Sequence, residues 1–161
     1  MVSRAPSRRR LVIAAILLGL GLGGFFDGIV LHQILQWHHM LSTPTPPDTL
    51  DNLQLNTLGD GIFHAATWVV TVAGVFVLMS ANGARHEGGG TRTLIGGMLA
   101  GWGLFNTVEG LIDHHVLNLH HVRPGPDELL YDMGFLVWGL IMLAVGIAMI
   151  RNTERSRGTE A

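Results

Sequence analysis

Four long stretches of apolar residues alternate with short polar segments along the chain. The apolar stretches run from about Leu11 to Trp37, Leu58 to Ser80, Thr93 to Leu119 and Leu129 to Ile150. Each exceeds the roughly twenty residues that a helix needs to cross a bilayer. Because backbone groups in lipid must be hydrogen-bonded within the segment, these stretches predict helices and not open strands. We expect an all-α, polytopic membrane protein with four transmembrane helices in a single domain, residues 1–161.

Composition supports a membrane protein and excludes several other classes. Only 14% of the residues are charged and 48% are hydrophobic, whereas a soluble domain has roughly 25% charged residues. The net charge of -2 provides no basic field that would attract nucleic acid. The absence of cysteine excludes a disulfide scaffold. The lipid bilayer is therefore the expected partner, and a nucleic acid is not.

The arginines predict the orientation of the helices. All ten basic residues are arginine, and nine of them lie before the first span, between the second and third, or after the fourth; the exception is Arg123. By the positive-inside rule, both termini are expected in the cytoplasm, with the protein in the cell (inner) membrane. The start of the chain also resembles an export signal, with a basic region before an apolar one. However, no A-x-A-like cleavage site follows it, and the first span recurs later in the chain.

An internal repeat relates the first and third spans. An offset of 82 positions aligns DGIVLHQILQWHH, residues 27–39, with EGLIDHHVLNLHH, residues 109–121. The second and fourth spans match more weakly, GDGIF with YDMGF. Since the first and third spans run in the same direction, the chain is expected to form two parallel helical hairpins around a pseudo-two-fold axis along the membrane normal. Glycines four residues apart (Gly19/Gly23, Gly24/Gly28, Gly97/Gly101) would let helices approach closely, although glycine is generally enriched in membrane helices.

The repeat places most ionisable side chains at one depth. At about 1.5 Å per residue, Asp27 and His32 lie roughly 25 and 33 Å beyond Arg10 along the first helix. Eight of the nine histidines are expected in this outer layer, and only His86 lies on the inner side. The histidine pairs that end the first and third spans are expected nearest to water. If those helices are regular, Asp27 and His38 share a face, and so do His32 and His39.

Ionisable groups in a membrane segment are costly and are therefore candidates for function. Imidazoles and carboxylates on facing helices of a bundle are typical of a metal site. The candidate ligands are His32, His38, His39, His64, His114, His115, His120, His121, Asp27, Asp60, Glu109 and Asp113. Each has a simpler interpretation: hydrogen bonding between helices, solvation at the interface or, for Asp60 and Asp132, a first-turn carboxylate that complements the helix dipole.

The types of candidate ligand atom limit which metal ion would bind. With no cysteine in the chain, imidazole and carboxylate ligands favour iron, copper or zinc. A calcium site would use more oxygen and less nitrogen. Either one or two ions would fit the number of candidate ligands.

The runs GFFDGIVLHQILQWHHML, DGIFHA, NTVEGLIDHHVLNLHHV and YDMGFLVWG resemble a bacterial family catalogued as domain of unknown function 2243. The likeness covers nearly the whole chain except the two arginine-bearing tails. It implies a small polytopic membrane protein and brings no activity with it.

Three functions follow from these residues. The first is a transition-metal protein, either oxidase-like or metal-handling, working with a membrane oxidoreductase or a metal-handling partner. The second is a b-type haem electron-transfer protein with axial ligands from His32 and His114. The third is an ion or proton translocator. The third is disfavoured because the inner halves of the spans contain almost no ionisable side chains.

Overall fold

The computed structural model describes residues 5–81, 83–84 and 88–158. Four α-helices make up most of these residues: α1 (Ala5–Phe26), α2 (Leu50–Ser80), α3 (Gly90–Glu109) and α4 (Glu128–Gly158). A π-helical segment continues α1 (Asp27–Ile34) and a second one continues α3 (Gly110–Val116). No β-strand occurs in the described part of the chain. The all-helical prediction is therefore confirmed.

Three of the four helical stretches are long and apolar enough to cross a membrane: Ser7–Ile34, Leu50–Ser80 and Glu128–Ser156. The remaining helix is α3 with its π segment. It was expected as a span, but it lies outside this set, and it carries polar residues such as Asn106 and Glu109 that are buried in the bundle. The structure thus supports three candidate spans and one further helix.

The helices pack in the spatial order α2, α1, α3, α4. Glycines allow α1 and α3 to pack closely. A Cβ on Gly19 would overlap the backbone carbonyl of Met98, and a Cβ on Gly101 would overlap that of Ile16. Close approach of helix backbones through small residues is a common solution in membranes. The glycines at four-residue spacing therefore serve packing.

Helix α4 packs on α3 through a second set of glycines. A Cβ on Gly103 would overlap the backbone of Leu143, and a Cβ on Gly146 would overlap that of Ala100. Contact positions rise along one helix as they fall along the other, so α3 and α4 are antiparallel. Along α1 and α3 they rise together, which makes those two helices parallel.

The first and third helical stretches end earlier than the sequence suggested. Helical structure ends at Ile34 and Val116, not at Trp37 and Leu119. Gln36 and Asn118, which are equivalent in the repeat alignment, both adopt φ of 50°. This left-handed conformation stops a helix and turns the chain. The prediction that Asp27 shares a helix face with His38, and His32 with His39, is wrong because the later histidine of each pair is not helical.

The flanking helices begin earlier than their apolar stretches. Helix α2 starts at Leu50, where the Thr49 side chain accepts a hydrogen bond from Asn52 N at 3.2 Å and caps the first turn. Asp60 therefore lies well inside α2, and Asp132 lies beyond the first turn of α4. The interpretation of these two aspartates as first-turn carboxylates is wrong.

Candidate metal centre

Six buried side chains meet at the end of the bundle where the π segments lie. We call them the central cluster: Asp27, His32, His38, Glu109, His114 and His120. The π segments and their preceding turns carry four of them, and the left-handed turns return His38 and His120 to the interior. These two histidines are 2% and 0% exposed. The expectation that they sit nearest to water is therefore wrong for both.

In the first half, His32 lies between two carboxylates. Its Nδ1 donates to Asp60 Oδ1 at 2.8 Å, and its Nε2 lies 3.1 Å from Asp27 Oδ2. Asp60 also accepts from His39 Nδ1 at 2.7 Å, from Met40 N at 2.8 Å and from Gln33 Nε2 at 3.3 Å. Four donors thus fix this carboxylate, which in turn fixes the ring of His32.

The second half has the corresponding arrangement. The Nε2 of His114 lies 3.1 Å from Glu109 Oε1, and its Nδ1 lies 3.4 Å from Asp132 Oδ1. Asp132 also accepts from His121 Nδ1 at 2.7 Å and from Val122 N at 2.9 Å. Asp132 therefore occupies the place that Asp60 has in the first half. The sequence indicated it as a first-turn carboxylate and, through the match of GDGIF with YDMGF, as the counterpart of Asp60, but it was not among the candidate ligands.

The two halves meet through His38 and His120. His38 Nδ1 donates to the carbonyl of Val122 at 2.8 Å, and His120 Nδ1 donates to that of Met40 at 3.3 Å. The two rings stack with centroids 4.5 Å apart and planes 5° from parallel. Because a carbonyl only accepts, each ring carries a proton at Nδ1. The Nε2 atoms of both rings lie in the cluster, where that of His120 is hydrogen-bonded to Glu109 Oε1 at 2.9 Å.

Several buried atoms of the cluster have no hydrogen-bond partner among the described residues. They are the Nε2 atoms of His32, His38 and His114, His114 Nδ1 and Glu109 Oε2. Unpaired buried polar atoms are costly, so such a concentration calls for a ligand. Two groups of three residues bring ligand atoms within 4.8 Å of one another and could hold a metal ion: His32, His38, His120 and Glu109, His114, His120.

The loop histidine of the first group is a neutral base. Burial, together with the neighbouring His120 and His32, lowers the pKa of His38 to about 2. His38 therefore offers a lone pair, which is the form that binds a metal.

Charge balance also favours a cation. Asp27, Asp60, Glu109 and Asp132 are all buried, and none of the arginines in the described part of the chain forms a hydrogen bond or an ion pair with them. Carboxylates in such surroundings need a compensating positive charge. Protonated imidazoles or a bound metal ion could supply it.

The other candidate ligands lie around the cluster. His39 and His121 are partly exposed, and each bonds an aspartate through Nδ1. His64 packs 6.4 Å from the ring of Phe25, and its Nε2 is buried with no partner in the described structure. His115 is exposed, and Asp113 is half-buried in a groove outside the cluster. His86 lies outside the described residues.

These features define an all-helical membrane protein with a buried histidine–carboxylate cluster that could hold a metal ion. Comparison with known families identifies it further: the profile of the family described as predicted membrane protein DUF2243 matches residues 14–153. The chain belongs to this family. No curated protein and no solved structure matches it.

Proposed function

We propose that the protein binds one or two transition-metal ions through the central cluster. The observation that carries this proposal is the common orientation of four imidazoles. The Nδ1 atoms of His32, His38 and His120 donate to oxygen acceptors, and the Nδ1 of His114 lies 3.4 Å from Asp132 Oδ1, while the Nε2 atoms of all four rings lie within the cluster. A metal-bound histidine has this arrangement, in which the second nitrogen donates to a carboxylate or carbonyl that sets the tautomer.

The ligand set would comprise these four imidazoles with Asp27 and Glu109. His120 belongs to both groups of three, and its Nε2, which lies 2.9 Å from Glu109 Oε1, would serve one ion at a time. A second ion would need a carboxylate to complete its coordination, as bridging carboxylates do in bundle proteins. Two divalent ions would equal the four buried carboxylates in charge. Nitrogen with oxygen donors suits iron, copper or zinc.

We further propose that the chain crosses the membrane four times as two hairpin repeats, with both termini in the cytoplasm. The parallel course of α1 and α3 and the matched contacts of His32 and His114 support the repeat. The side chain of Arg8, near the start of α1, donates to Thr93 near the start of α3 at 3.0 Å, which keeps basic residues at the end opposite the cluster. The cluster would then lie in the outer half of the membrane.

Haem is a poorer fit to this arrangement. The imidazoles contact one another directly, with centroids 4.3 Å apart for His32 and His38 and 4.9 Å for His114 and His120. A porphyrin needs a flat slot between its axial ligands. An optical spectrum separates the two alternatives, because haem gives an intense Soret band and the proposed centre does not.

The test is the metal content of purified protein. Wild type in detergent should contain iron, copper or zinc in near-stoichiometric amount, or take it up on reconstitution. His114→Ala should lose it, whereas His115→Ala, a change at the exposed neighbouring histidine, should retain it. If wild type holds none of these ions after reconstitution, the proposal is wrong. If both variants retain metal equally, the ion lies elsewhere.

A further inference from the structure

A groove on the side of the bundle reaches the central cluster from the lipid-facing surface. It has a volume of about 450 Å³ and is lined by Leu20, Phe63, Leu104, Phe105, Val108, Glu109, Ile112 and Asp113. We call it the α2–α3 groove. Its size falls within the range of roughly 300–1,000 Å³ that small-molecule sites have. Leu104, Val108 and Ile112 are 37–46% exposed at its rim, so it opens sideways, where lipid would lie.

Two carboxylates interrupt the apolar wall of this groove. Glu109 is only 7% exposed, and its Oε2 has no hydrogen-bond partner among the described residues. Its other oxygen, Oε1, is the one that lies against His114 and His120. Glu109 therefore belongs both to the cluster and to the groove. Asp113 is half-buried and lines the same groove.

The protein contains a matching groove without this acidity. It measures about 590 Å³ and lies between the outer end of α1 and α4. Its lining includes Trp102, Phe26 and Leu31. In the repeat alignment at offset 82, these three residues pair with Leu20, Val108 and Asp113 of the α2–α3 groove. Leucine at position 31 shows that this location tolerates an apolar side chain. The carboxylate of Asp113 is therefore not required by the packing of such a groove.

The chemistry of the α2–α3 groove selects its occupant. Leucine, valine and phenylalanine side chains fit an apolar ring or chain. The two carboxylates accept hydrogen bonds, so the polar end of the ligand must donate them; an anion or a head with acceptors alone would be repelled. A neutral hydroxyl also costs less to bring through a bilayer than an ammonium group.

We propose that the α2–α3 groove binds a lipid-soluble hydroquinone, with a ring hydroxyl donating to Asp113 and the apolar part against Phe63 and Phe105. This inference rests on the proposed function in one respect: Glu109, which lines the groove, is also one of the residues that would hold the metal. Binding itself depends only on the groove.

The probe for the test is radiolabelled decylhydroquinone, titrated against wild-type protein in nanodiscs. Asp113→Leu gives the α2–α3 groove the side chain that its counterpart has at position 31, and it should weaken binding by about tenfold, the expected effect of losing a hydrogen bond to a charged group. Asp113→Asn, which keeps a carbonyl acceptor, should restore part of the affinity. Tyr131→Phe, in the other groove, is the matched control and should bind as wild type does.

Two competitors identify other occupants. Decylbenzene has no hydroxyl; if it displaces the probe as well as unlabelled decylhydroquinone does, the groove holds ordinary acyl chains and the proposal is wrong. Decylamine tests a cationic head, and tighter binding of the amine would also overturn the proposal. The proposal is also wrong if Asp113→Leu binds the probe as tightly as wild type does.

Metal content measured on the same samples separates this proposal from the previous one. Hydroquinone binding by a protein without metal would refute the metal centre and leave the groove assignment intact. Metal binding without hydroquinone binding would refute the groove assignment and leave the metal centre intact. Asp113→Leu should bind the probe about tenfold more weakly and retain the metal.

Discussion

Asp60→Asn tests whether the carboxylate behind His32 tunes the proposed metal ligand. Asp60 accepts four hydrogen bonds, two on each oxygen: His32 and Met40 on Oδ1, His39 and Gln33 on Oδ2. An asparagine replaces one oxygen with an amide group, so two of these donors would face another donor. The ring of His32 would lose the negative charge at Nδ1 and, in one amide orientation, its acceptor.

The expected effect is a loss of metal affinity of about 10–100-fold, typical of an altered partner behind a histidine ligand. This corresponds to roughly 1.4–2.7 kcal/mol. Asp132→Asn should cost less, because its contact with His114 is 3.4 Å long against 2.8 Å for Asp60 with His32. The affinity is measured by competition with a chromophoric chelator in detergent, using the ion found in wild type.

Asp51→Asn is the control, since that side chain is exposed in the first turn of α2. Thermal unfolding of the metal-free proteins shows whether a variant is simply unfolded. If folded Asp60→Asn binds metal within twofold of wild type, the carboxylate does not tune the ligand and the reasoning fails.

Two further predictions concern packing and orientation. Gly101→Ala should destabilise the protein by about 1–3 kcal/mol, because its Cβ would meet the α1 backbone. Gly61→Ala, with open space around the residue, should be neutral or slightly stabilising. Thermal unfolding in detergent compares the two variants, and equal stability would contradict the proposed contact. Single cysteines at Thr43 and Pro124 should react with an impermeant thiol reagent in intact cells and one at Gly88 should not; labelling of Gly88 alone would reverse the orientation.

The sequence predicted the helices because their apolar stretches are long and the backbone in lipid has few alternatives. It also predicted that Asp27, His32, Glu109 and His114 lie at one depth, since residue spacing along a helix fixes depth. The exact helix ends were missed. With Thr49 as its N-cap, α2 begins at Leu50. The first turns of this helix are polar, so the hydrophobic pattern assigned them to the loop before Leu58.

The conformation around the paired histidines was not predictable from periodicity. A positive φ at Gln36 is uncommon for a residue that is not glycine, and only its match with Asn118 gave a signal. Without that turn, a regular helix would have carried His38 toward water. The role of Asp132 could have been found from the match of GDGIF with YDMGF, because it aligns Asp132 with Asp60, which was already a candidate ligand.

The crossed hydrogen bonds of His38 and His120 have a consequence for assembly. Each ring takes its orientation from a carbonyl that belongs to the other half of the chain, Val122 for His38 and Met40 for His120. Neither half of the chain alone can therefore hold its own histidine in place. The two halves, produced as separate polypeptides, should each lack the oriented rings, and mixing them should create the cluster only when they associate. Formation of the cluster therefore depends on correct packing of the two halves, and metal binding would report that this packing has occurred.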